Sequence, residues 1–183
     1  IFDNIINSLQ KYGGISVYWQ ELSKRMLNND NDIDFYGYDN RNIFIDELKI
    51  NQKRDTLLPV KIARYLYFRK KIPKFSIFHS SYYRVANQKD IFNIITIYDF
   101  TYEHYRAGLA KFLHSWQKSR AINKSSGIIC ISQNTKRDLL NFYPEIKEDK
   151  IKVIYLAAST SFKVLEEISG NLKKSFKELM GKK

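Results

Sequence analysis

The stretch FNIITIYDF, residues 92–100, is a mostly apolar run that ends beside a charged residue, Asp99. Ile-rich runs of this length are typical of strands that are buried on both faces of a sheet. Five other short runs repeat the pattern, and each predicts a further strand. The five runs are IFDNII (1–6), IDFYGY (33–38), FSIFHS (75–80), GIICIS (127–132) and KIKVIYL (150–156).

Amphipathic segments separate these runs, and in four of them the apolar residues recur at three- and four-residue spacing, which predicts helices. The segments are residues 14–27, 57–71, 106–122 and 132–144, the last of which begins at a Ser132 cap and stops at Pro144. In the third segment the spaced apolar residues are Leu109, Phe112, Leu113 and Trp116. Because strands that alternate with helices imply right-handed crossovers, the sequence predicts an α/β fold with a Rossmann-like, doubly wound, mainly parallel sheet.

The 183 residues suffice for one packed domain, and the 44% of hydrophobic residues allow a large core. No apolar run approaches the roughly 18 residues that a membrane-spanning helix needs. The single cysteine, Cys130, can form no internal disulfide and lies in an apolar run. This predicts a buried structural thiol and a reducing, cytoplasmic setting.

We expect the folded domain to cover residues 1–162. The following residues, 163–183, form a basic segment whose apolar residues lie near helical spacing, interrupted by Gly170. This segment is predicted to be either a terminal helix that packs back on the domain or a frayed tail.

The chain carries 31 Lys and Arg against 19 Asp and Glu, a net charge of +12. The excess predicts an anionic partner, namely nucleic acid, a phospholipid surface or a phosphorylated ligand. Nucleic acid is the least favoured, because no helix-turn-helix, RRM or zinc motif accompanies the charge. In KIARYLYFRKKIPK, residues 61–74, cations alternate with aromatic residues, which suits either an anionic membrane or an ordinary solvated helix face.

Two adjacent glycines, Gly13 and Gly14, precede the first long predicted helix. Unpaired backbone N–H groups and the positive end of the helix dipole would suit a phosphate or a sugar hydroxyl at this point, and glycine lets the ligand approach the backbone. The alternative is a left-handed turn that needs residues without a side chain. The pair does not form the dinucleotide motif G-x-G-x-x-G, so NAD is not favoured.

Polar side chains follow two of the predicted strands where each strand ends. They are His79, Ser80, Ser81 and Arg84 in one stretch, and Tyr98, Asp99, Tyr102, Glu103 and His104 in the other. Since the carboxyl ends of parallel strands border the ligand crevice, we expect these side chains to line it. Asp99, Glu103 or His79 would orient a hydroxyl or accept its proton. The alternative is that Asp99 caps the next segment and that backbone groups satisfy His79.

A further strand-to-helix junction carries Ser132, Asn134 and Thr135. Capping explains one of them, so all three are candidate binding residues. The three histidines are scattered and the chain has one cysteine, a pattern that predicts no metal site.

Five stretches of the chain are informative together. They are IFDNIINSLQKYGGISVYWQELSKRM, FHSSYYR, TIYDFTYEHY, SWQKSRAINKSSGIICISQNTKRDLL and KIKVIYLAASTSF. In this order they resemble the N-terminal half of family-4 glycosyltransferases, from Ile1 to about Phe162. The resemblance implies a retaining, group 1 enzyme with two Rossmann-like domains in the GT-B arrangement. The N-terminal domain would bind the acceptor, and the C-terminal domain, which we expect to be absent from this chain, would hold the nucleotide-sugar.

The resemblance also implies roles for particular residues. Gly13 and Gly14 match a glycine-rich loop that reaches the donor diphosphate, and Tyr98-Asp99 matches a His-Asp-like pair in the cleft. Tyrosine stands where histidine is common, and it is a poor base near neutral pH. Because they occupy the position of this cleft pair, Asp99 and Tyr98 are the candidate catalytic residues. The resemblance also implies that no metal or cofactor is needed and that the nucleotide-sugar is a substrate.

Together these observations predict the acceptor-side domain of a glycosyltransferase that acts on a glycan or glycolipid. We expect it to serve bacterial cell-surface polysaccharide assembly, in the cytoplasm or peripherally on the inner face of the cytoplasmic membrane. The alternative is a truncated, catalytically inert module that binds a glycan or a partner protein, because a complete enzyme of this family needs a second domain.

Overall fold

The computed structural model describes residues 1–28, 32–38, 42 and 50–157. Its described strands form one sheet of seven strands, and every neighbouring pair is parallel. In chain order they are β1 (Phe2–Asp3), β2 (Phe35–Tyr36), β3 (Gln52–Lys53), β4 (Ile77–Ser80), β5 (Phe92–Ile97), β6 (Gly127–Cys130) and β7 (Ile151–Val153). The order across the sheet, β3-β2-β1-β4-β5-β6-β7, confirms the predicted Rossmann-like, doubly wound α/β fold.

Six α-helices connect the strands in the part of the chain that the structure describes. They are α1 (Ile6–Leu9), α2 (Gly14–Leu27), α3 (Val60–Ala63), α4 (Thr101–Tyr105), α5 (Gly108–Lys124) and α6 (Gln133–Phe142). The positions of α2, α5 and α6 confirm three of the helices predicted from apolar spacing. The predicted tail segment, residues 163–183, lies outside the described residues.

The predicted helix over residues 57–71 is wrong apart from the single turn α3. Phe68 pairs with Ala86 in an isolated parallel bridge. The backbone N–H of Arg69 donates to a carboxylate oxygen of Asp55 over 3.1 Å. These contacts with distant parts of the chain give the second half of the segment a non-helical path, although its apolar spacing is helical.

The first predicted strand, residues 1–6, is also shorter than its sequence pattern. Only Phe2–Asp3 pairs in the sheet. The N–H of Asn7 donates to the carbonyl of Asn4 over 3.0 Å, so the chain turns directly into α1. The sequence patterns predict neither β3 nor α4.

Apolar side chains pack against the sheet in separate clusters. One buried cluster joins β5, β6 and β7 to α5 and α6. Another packs α2 against β1 and β2 through Phe2, Trp19 and Phe35. Cys130 is a buried free thiol, as predicted, and burial raises its pKa to about 11, which suits a structural side chain.

The apolar stripe of α5 faces solvent rather than the core. Its exposed side chains are Leu109, Phe112, Leu113 and Trp116. The residues that this helix buries are Gln117, Lys118, Ala121 and Ile122. Among the described residues, no helix combines the length and the apolar character that crossing a bilayer requires.

Candidate functional site

The strand order places a topological switch point between β1 and β4. From β1 the chain continues to one side through β2 and β3, and from β4 it continues to the other side through β5, β6 and β7. In open parallel sheets, ligands bind beyond the carboxyl ends of the strands at such a point. The loops that follow β1 and β4 therefore border the candidate site.

Trp19 positions α2 beside the end of β1. Its side chain is fully buried, and its indole Nε1–H donates to Oδ1 of Asn4 over 2.5 Å. The indole ring also meets the rings of Phe2 and His79, with centroids 5.1 and 4.8 Å away. These contacts attach the first turns of α2 to the switch point, so the glycine pair lies at this edge of the sheet.

Neither Gly13 nor Gly14 adopts a left-handed conformation, so the left-handed turn considered from the sequence is wrong. A Cβ at Gly14 would meet no atom within 4 Å, and a Cβ at Gly13 would meet only the flexible side chain of Gln10. No side chain caps the start of α2, and the hydroxyl of Ser16 donates back to the carbonyl of Gly13 over 2.9 Å. The helix start thus carries an uncapped positive dipole end and no side chain to cover it.

His79 lies inside the protein rather than at the surface of the crevice. Its Nε2 is 3.0 Å from Oγ1 of Thr96, and its ring packs against Phe2 and Trp19. Burial lowers the pKa of His79 to about 4, which keeps the imidazole neutral near neutral pH. A side chain, not the backbone alone, therefore satisfies this histidine.

Ser80 and Ser81 join the end of β4 to the end of β1. The hydroxyl of Ser80 donates to the carboxylate of Asp3 over 2.8 Å. The hydroxyl of Ser81 donates to the backbone carbonyl of Asp3 over 2.7 Å and accepts from the N–H of Ile6 over 3.0 Å. Both side chains are buried, and they hold in place the loop that leads to the glycine pair.

Arg84 forms a buried ionic network that no sequence pattern predicts. Its guanidinium contacts the carboxylate of Asp3 at 3.2 Å and that of Asp55 at 2.6 Å. The hydroxyl of Tyr38 donates to Asp55 over 2.6 Å. The sequence places Arg84 on the crevice lining, whereas the structure buries its side chain completely between the two acids.

The two carboxylates of this network titrate differently. Burial raises the pKa of Asp3, and Arg84 and Ser80 only partly offset it. For Asp55 burial also opposes ionisation, but the charge and hydrogen bonds of Arg84 and the hydrogen bond of Tyr38 lower the pKa. An acid in the opening run IFDNII was the only sequence signal for this network, since Asp55 lies in a stretch without a pattern.

The end of β5 carries the candidate catalytic pair. The ring of Tyr98 is buried and meets the ring of Tyr18 edge-on, with centroids 5.8 Å apart. The Tyr98 hydroxyl has no hydrogen-bond partner among the described residues, and burial raises its pKa. Asp99 is exposed, and its Oδ1 accepts from the N–H of Thr101 over 2.9 Å, so the carboxylate caps the start of α4 and also faces solvent.

Glu103 is paired with α5 rather than free to accept a proton. Its carboxylate accepts from Lys118 Nζ over 2.8 Å and from the Ser115 hydroxyl over 2.9 Å. Burial alone would raise the pKa of Glu103, but its interactions with His114 and Lys118 lower it to about 2. Tyr102 lies beside this pair, its ring stacked on His114 at 4.0 Å. Because Lys118 and Ser115 engage the Glu103 carboxylate while Asp99 is exposed, Asp99 is the better placed of the two acids to contact a ligand.

At the end of β6, Ser132 caps α6 by accepting from the N–H of Thr135 over 3.1 Å, as the sequence predicts. The Thr135 hydroxyl donates to the carbonyl of Tyr98 over 3.3 Å, which ties α6 to the end of β5. Asn134 is exposed on the first turn of α6 and accepts from Arg137 over 3.0 Å. Capping and packing thus account for two of the three candidates, and Asn134 remains on the surface.

The predicted site residues therefore separate into two groups. Those buried behind the carboxyl edge of the sheet are His79, Ser80, Ser81, Arg84, Tyr98 and Thr135. Those that keep at least part of their surface exposed are Gly13, Gly14, Asp99, Tyr102, Ser132 and Asn134. Contact of any of them with a ligand stays a prediction.

Comparison with known proteins bears on this arrangement. A family model described as Glycosyltransferase Family 4 matches residues 12–162, which include α2 and the carboxyl ends of β4, β5 and β6. No curated protein matches the chain.

Proposed function

The chain belongs to glycosyltransferase family 4, and on that premise we propose that it supplies the acceptor side of a retaining, group 1 GT-B glycosyltransferase. In this proposal the enzyme moves a sugar from a nucleotide-sugar to a glycan or glycolipid acceptor. The process served is bacterial cell-surface polysaccharide assembly. The nucleotide-sugar is presented by a C-terminal domain, and neither a metal nor a cofactor takes part.

The uncapped start of α2 beside the switch point is the observation that supports this function best. Gly14 leaves the first N–H groups of the helix uncovered, and packing within the protein does not require a glycine there. A diphosphate would accept hydrogen bonds from these N–H groups and would be stabilised by the helix dipole. Such an interaction strengthens when the sugar leaves, because negative charge then accumulates on the diphosphate.

At the end of β5, we assign Asp99 the task of orienting the acceptor hydroxyl. Asp99 is the exposed member of the Tyr98-Asp99 pair, and the hydrogen bond that its carboxylate accepts from the N–H of Thr101 sets the direction of that carboxylate. The Tyr98 hydroxyl, whose pKa burial raises, stays protonated and serves as a hydrogen-bond donor. Tyr102 and Asn134 would contact the acceptor from α4 and α6.

The proposed setting is the cytoplasm, at the inner face of an anionic membrane. The buried thiol of Cys130 suits a reducing compartment, and the net charge of +12 suits an anionic surface. The excess of cations does not by itself distinguish lipid phosphates from other anions.

A second candidate function is binding without transfer. Protein groups already satisfy Ser80, Ser81 and Arg84, so fewer polar side chains are free for a substrate than the sequence predicts. A chain that acts without a donor-binding domain would then be an inert glycan- or partner-binding module. Saturable glycan binding by the full-length gene product, with no sugar transfer from any nucleotide-sugar tested, would favour this alternative.

The test of the enzymatic proposal uses the full-length gene product, a panel of nucleotide-sugars and candidate glycan acceptors. We expect transfer by the wild-type protein and at least about a tenfold lower kcat/KM for Gly14→Val, since the valine side chain would keep the diphosphate from the helix start. Ala107→Val adds bulk at the start of α5 and should keep wild-type kcat/KM. Absence of both nucleotide-sugar binding and transfer would refute the proposal.

A further inference from the structure

An apolar ridge projects from the first half of α5 into solvent. It consists of Leu109, Phe112, Leu113 and Trp116, whose exposed fractions are 73%, 65%, 36% and 45%. Helices of globular proteins normally turn such a stripe toward the core. Contiguous exposed apolar side chains mark interaction sites more often than isolated ones do. We call these four side chains the α5 ridge.

The sequence around the α5 ridge is entirely free of acidic residues. Residues 104–137 contain seven Lys or Arg and no Asp or Glu. A second stretch of the same kind, residues 56–75, contains six Lys or Arg and no Asp or Glu. The two segments together carry thirteen Lys or Arg and no acidic residue, so they account for the net charge of +12 and the rest of the chain is close to neutral.

The two acid-free segments meet in the fold. The side-chain amide of Gln117 donates to the carbonyl of Arg64 over 2.6 Å. The guanidinium of Arg120 lies 4.6 Å from the ring centre of Trp116 and 4.7 Å from that of Tyr67. A ring of the α5 ridge is therefore joined through a cation to the aromatic and basic segment 61–74. We call the combined area the α3–α5 surface.

The α3–α5 surface has the composition of a membrane-contact face. Exposed apolar side chains are not confined to the ridge, since Ile62 on the α3 side is 52% exposed and Leu57, which precedes segment 61–74, is 91% exposed. Arg69, Lys70 and Lys71 are exposed as well. Interfacial segments combine these features, because the apolar groups enter the acyl boundary while the cations contact lipid phosphates.

We propose that the α3–α5 surface docks the chain on an anionic lipid bilayer, with the α5 ridge inserted among the lipid headgroups. This inference rests on the proposed function, to which it adds a docking surface for the membrane contact. It goes beyond the sequence pattern of residues 61–74, because the ridge lies on a different helix. Docking through α5 would also bring the carboxyl edge of β5, and with it Asp99, close to a lipid-linked acceptor.

Charge and chemistry favour lipid over the other occupants of this surface. Residues 163–183 carry six Lys against three Glu, so their charge does not complement a basic face. A second copy of the chain would bring the same cations against the same cations. Nucleic acid would satisfy the cations but would offer no acyl region for Leu109 and Phe112.

The test is vesicle flotation of the full-length protein. We expect binding to vesicles of phosphatidylcholine mixed with phosphatidylglycerol, little binding to phosphatidylcholine alone, and weaker binding as salt rises. Phe112→Asp should lower the vesicle partition coefficient about tenfold or more, because it removes an inserted ring and adds a repelled charge. Leu27→Asp, the same kind of change at an exposed site on α2, should keep wild-type binding.

Tryptophan fluorescence gives an independent readout. Of the two tryptophans in this chain, Trp19 is fully buried, so a blue shift that anionic vesicles cause in the wild-type protein but not in Trp116→Phe reports Trp116. A Trp116 contribution, taken as the difference between wild type and Trp116→Phe, that is already blue without vesicles would mean that another part of the protein covers the ridge. That result would overturn the proposal, as would vesicle binding that Phe112→Asp leaves unchanged or a dimer that this variant dissociates.

The two proposals fail separately. If Phe112→Asp leaves both vesicle binding and transfer to a water-soluble acceptor intact, the docking surface is wrong and the enzymatic function stands. If wild-type protein binds anionic vesicles through the ridge but transfers no sugar, the docking surface stands and the enzymatic function is wrong.

Discussion

The two longest described helices, α2 and α5, place their apolar side chains in opposite environments. α2 buries Trp19 against β1 and β2 and partly buries the other residues of its apolar stripe, which are Ile15, Tyr18, Leu22 and Met26. α5 leaves Phe112 and Trp116 in solvent and buries Gln117 and Lys118 instead. Apolar burial therefore holds α2 in place, whereas the first half of α5 needs polar contacts to attach it to the domain.

Polar contacts hold α5 where apolar packing does not. Glu103 on α4 accepts hydrogen bonds from Lys118 and Ser115, and Gln117 donates to the backbone of Arg64. These bonds fix the helix without using the α5 ridge. An apolar stripe that folding does not require is available for a partner such as the proposed lipid surface.

The sharpest test of this comparison replaces one tryptophan in each helix. Trp19→Ala should lower the free energy of unfolding by about 3–5 kcal/mol, because it leaves a cavity beside His79 and unpairs Asn4. Trp116→Ala, the matched change on α5, should lower it by only about 1 kcal/mol, since the side chain is 45% exposed and its removal leaves no enclosed cavity. Urea unfolding followed by circular dichroism measures both. Equal losses would place the α5 ridge in the core.

A second test removes the polar attachment of α5. Lys118→Met should lower the free energy of unfolding by about 2–3 kcal/mol, because the buried Glu103 loses its charged partner but keeps the Ser115 hydroxyl. Lys124→Met, at the exposed end of the same helix, should change stability by less than about 0.5 kcal/mol. Chemical denaturation at neutral pH gives both values. A stable Lys118→Met variant would show that apolar contacts, not this ion pair, hold α5.

The sequence predicts where apolar stripes occur but not what covers them. The spacing of Ile15, Tyr18 and Trp19 in α2 is no different in kind from that of Phe112 and Trp116 in α5. Periodicity therefore gave three of the four predicted helices, α2, α5 and α6, and the parallel sheet. It could not give the outward face of α5, because that depends on polar bonds between side chains of different elements.

The candidate site, like the fold, could be predicted from the sequence only where local patterns determine it. The carboxyl ends of β4, β5 and β6 and the Ser132 cap follow from local patterns. The Arg84 network does not, because its partners Asp3 and Asp55 lie 81 and 29 positions away along the chain. Only the fold decides which polar residue near a strand end faces a ligand and which one is neutralised inside.

A third prediction concerns the buried face of α2, where His79 packs against Trp19. The pKa of His79 is lowered from 6.5 to about 4, so below pH 6.5 the unfolded chain binds a proton that the folded chain does not. The contribution of neutral His79 to the free energy of unfolding should be fully present above pH 6.5. It should be lost as the pH falls toward 4, by at most about 1.4 kcal/mol per pH unit. His79→Asn should remove this component from unfolding curves measured across the window. His104→Asn, on the exposed surface of α4, should retain the wild-type profile.

The smallest expected effect compares the glycines that begin the two helices. Gly14 has no left-handed backbone and open space around it, so Gly14→Ala should raise the free energy of unfolding by about 0.4–1 kcal/mol. Gly108, at the start of α5, has a φ of 73°, so Gly108→Ala should lower it by about 1 kcal/mol or more. Thermal and urea unfolding distinguish the two signs. A loss at Gly14 equal to that at Gly108 would mean that folding itself requires the glycine, and the uncapped helix start would then no longer support a ligand site.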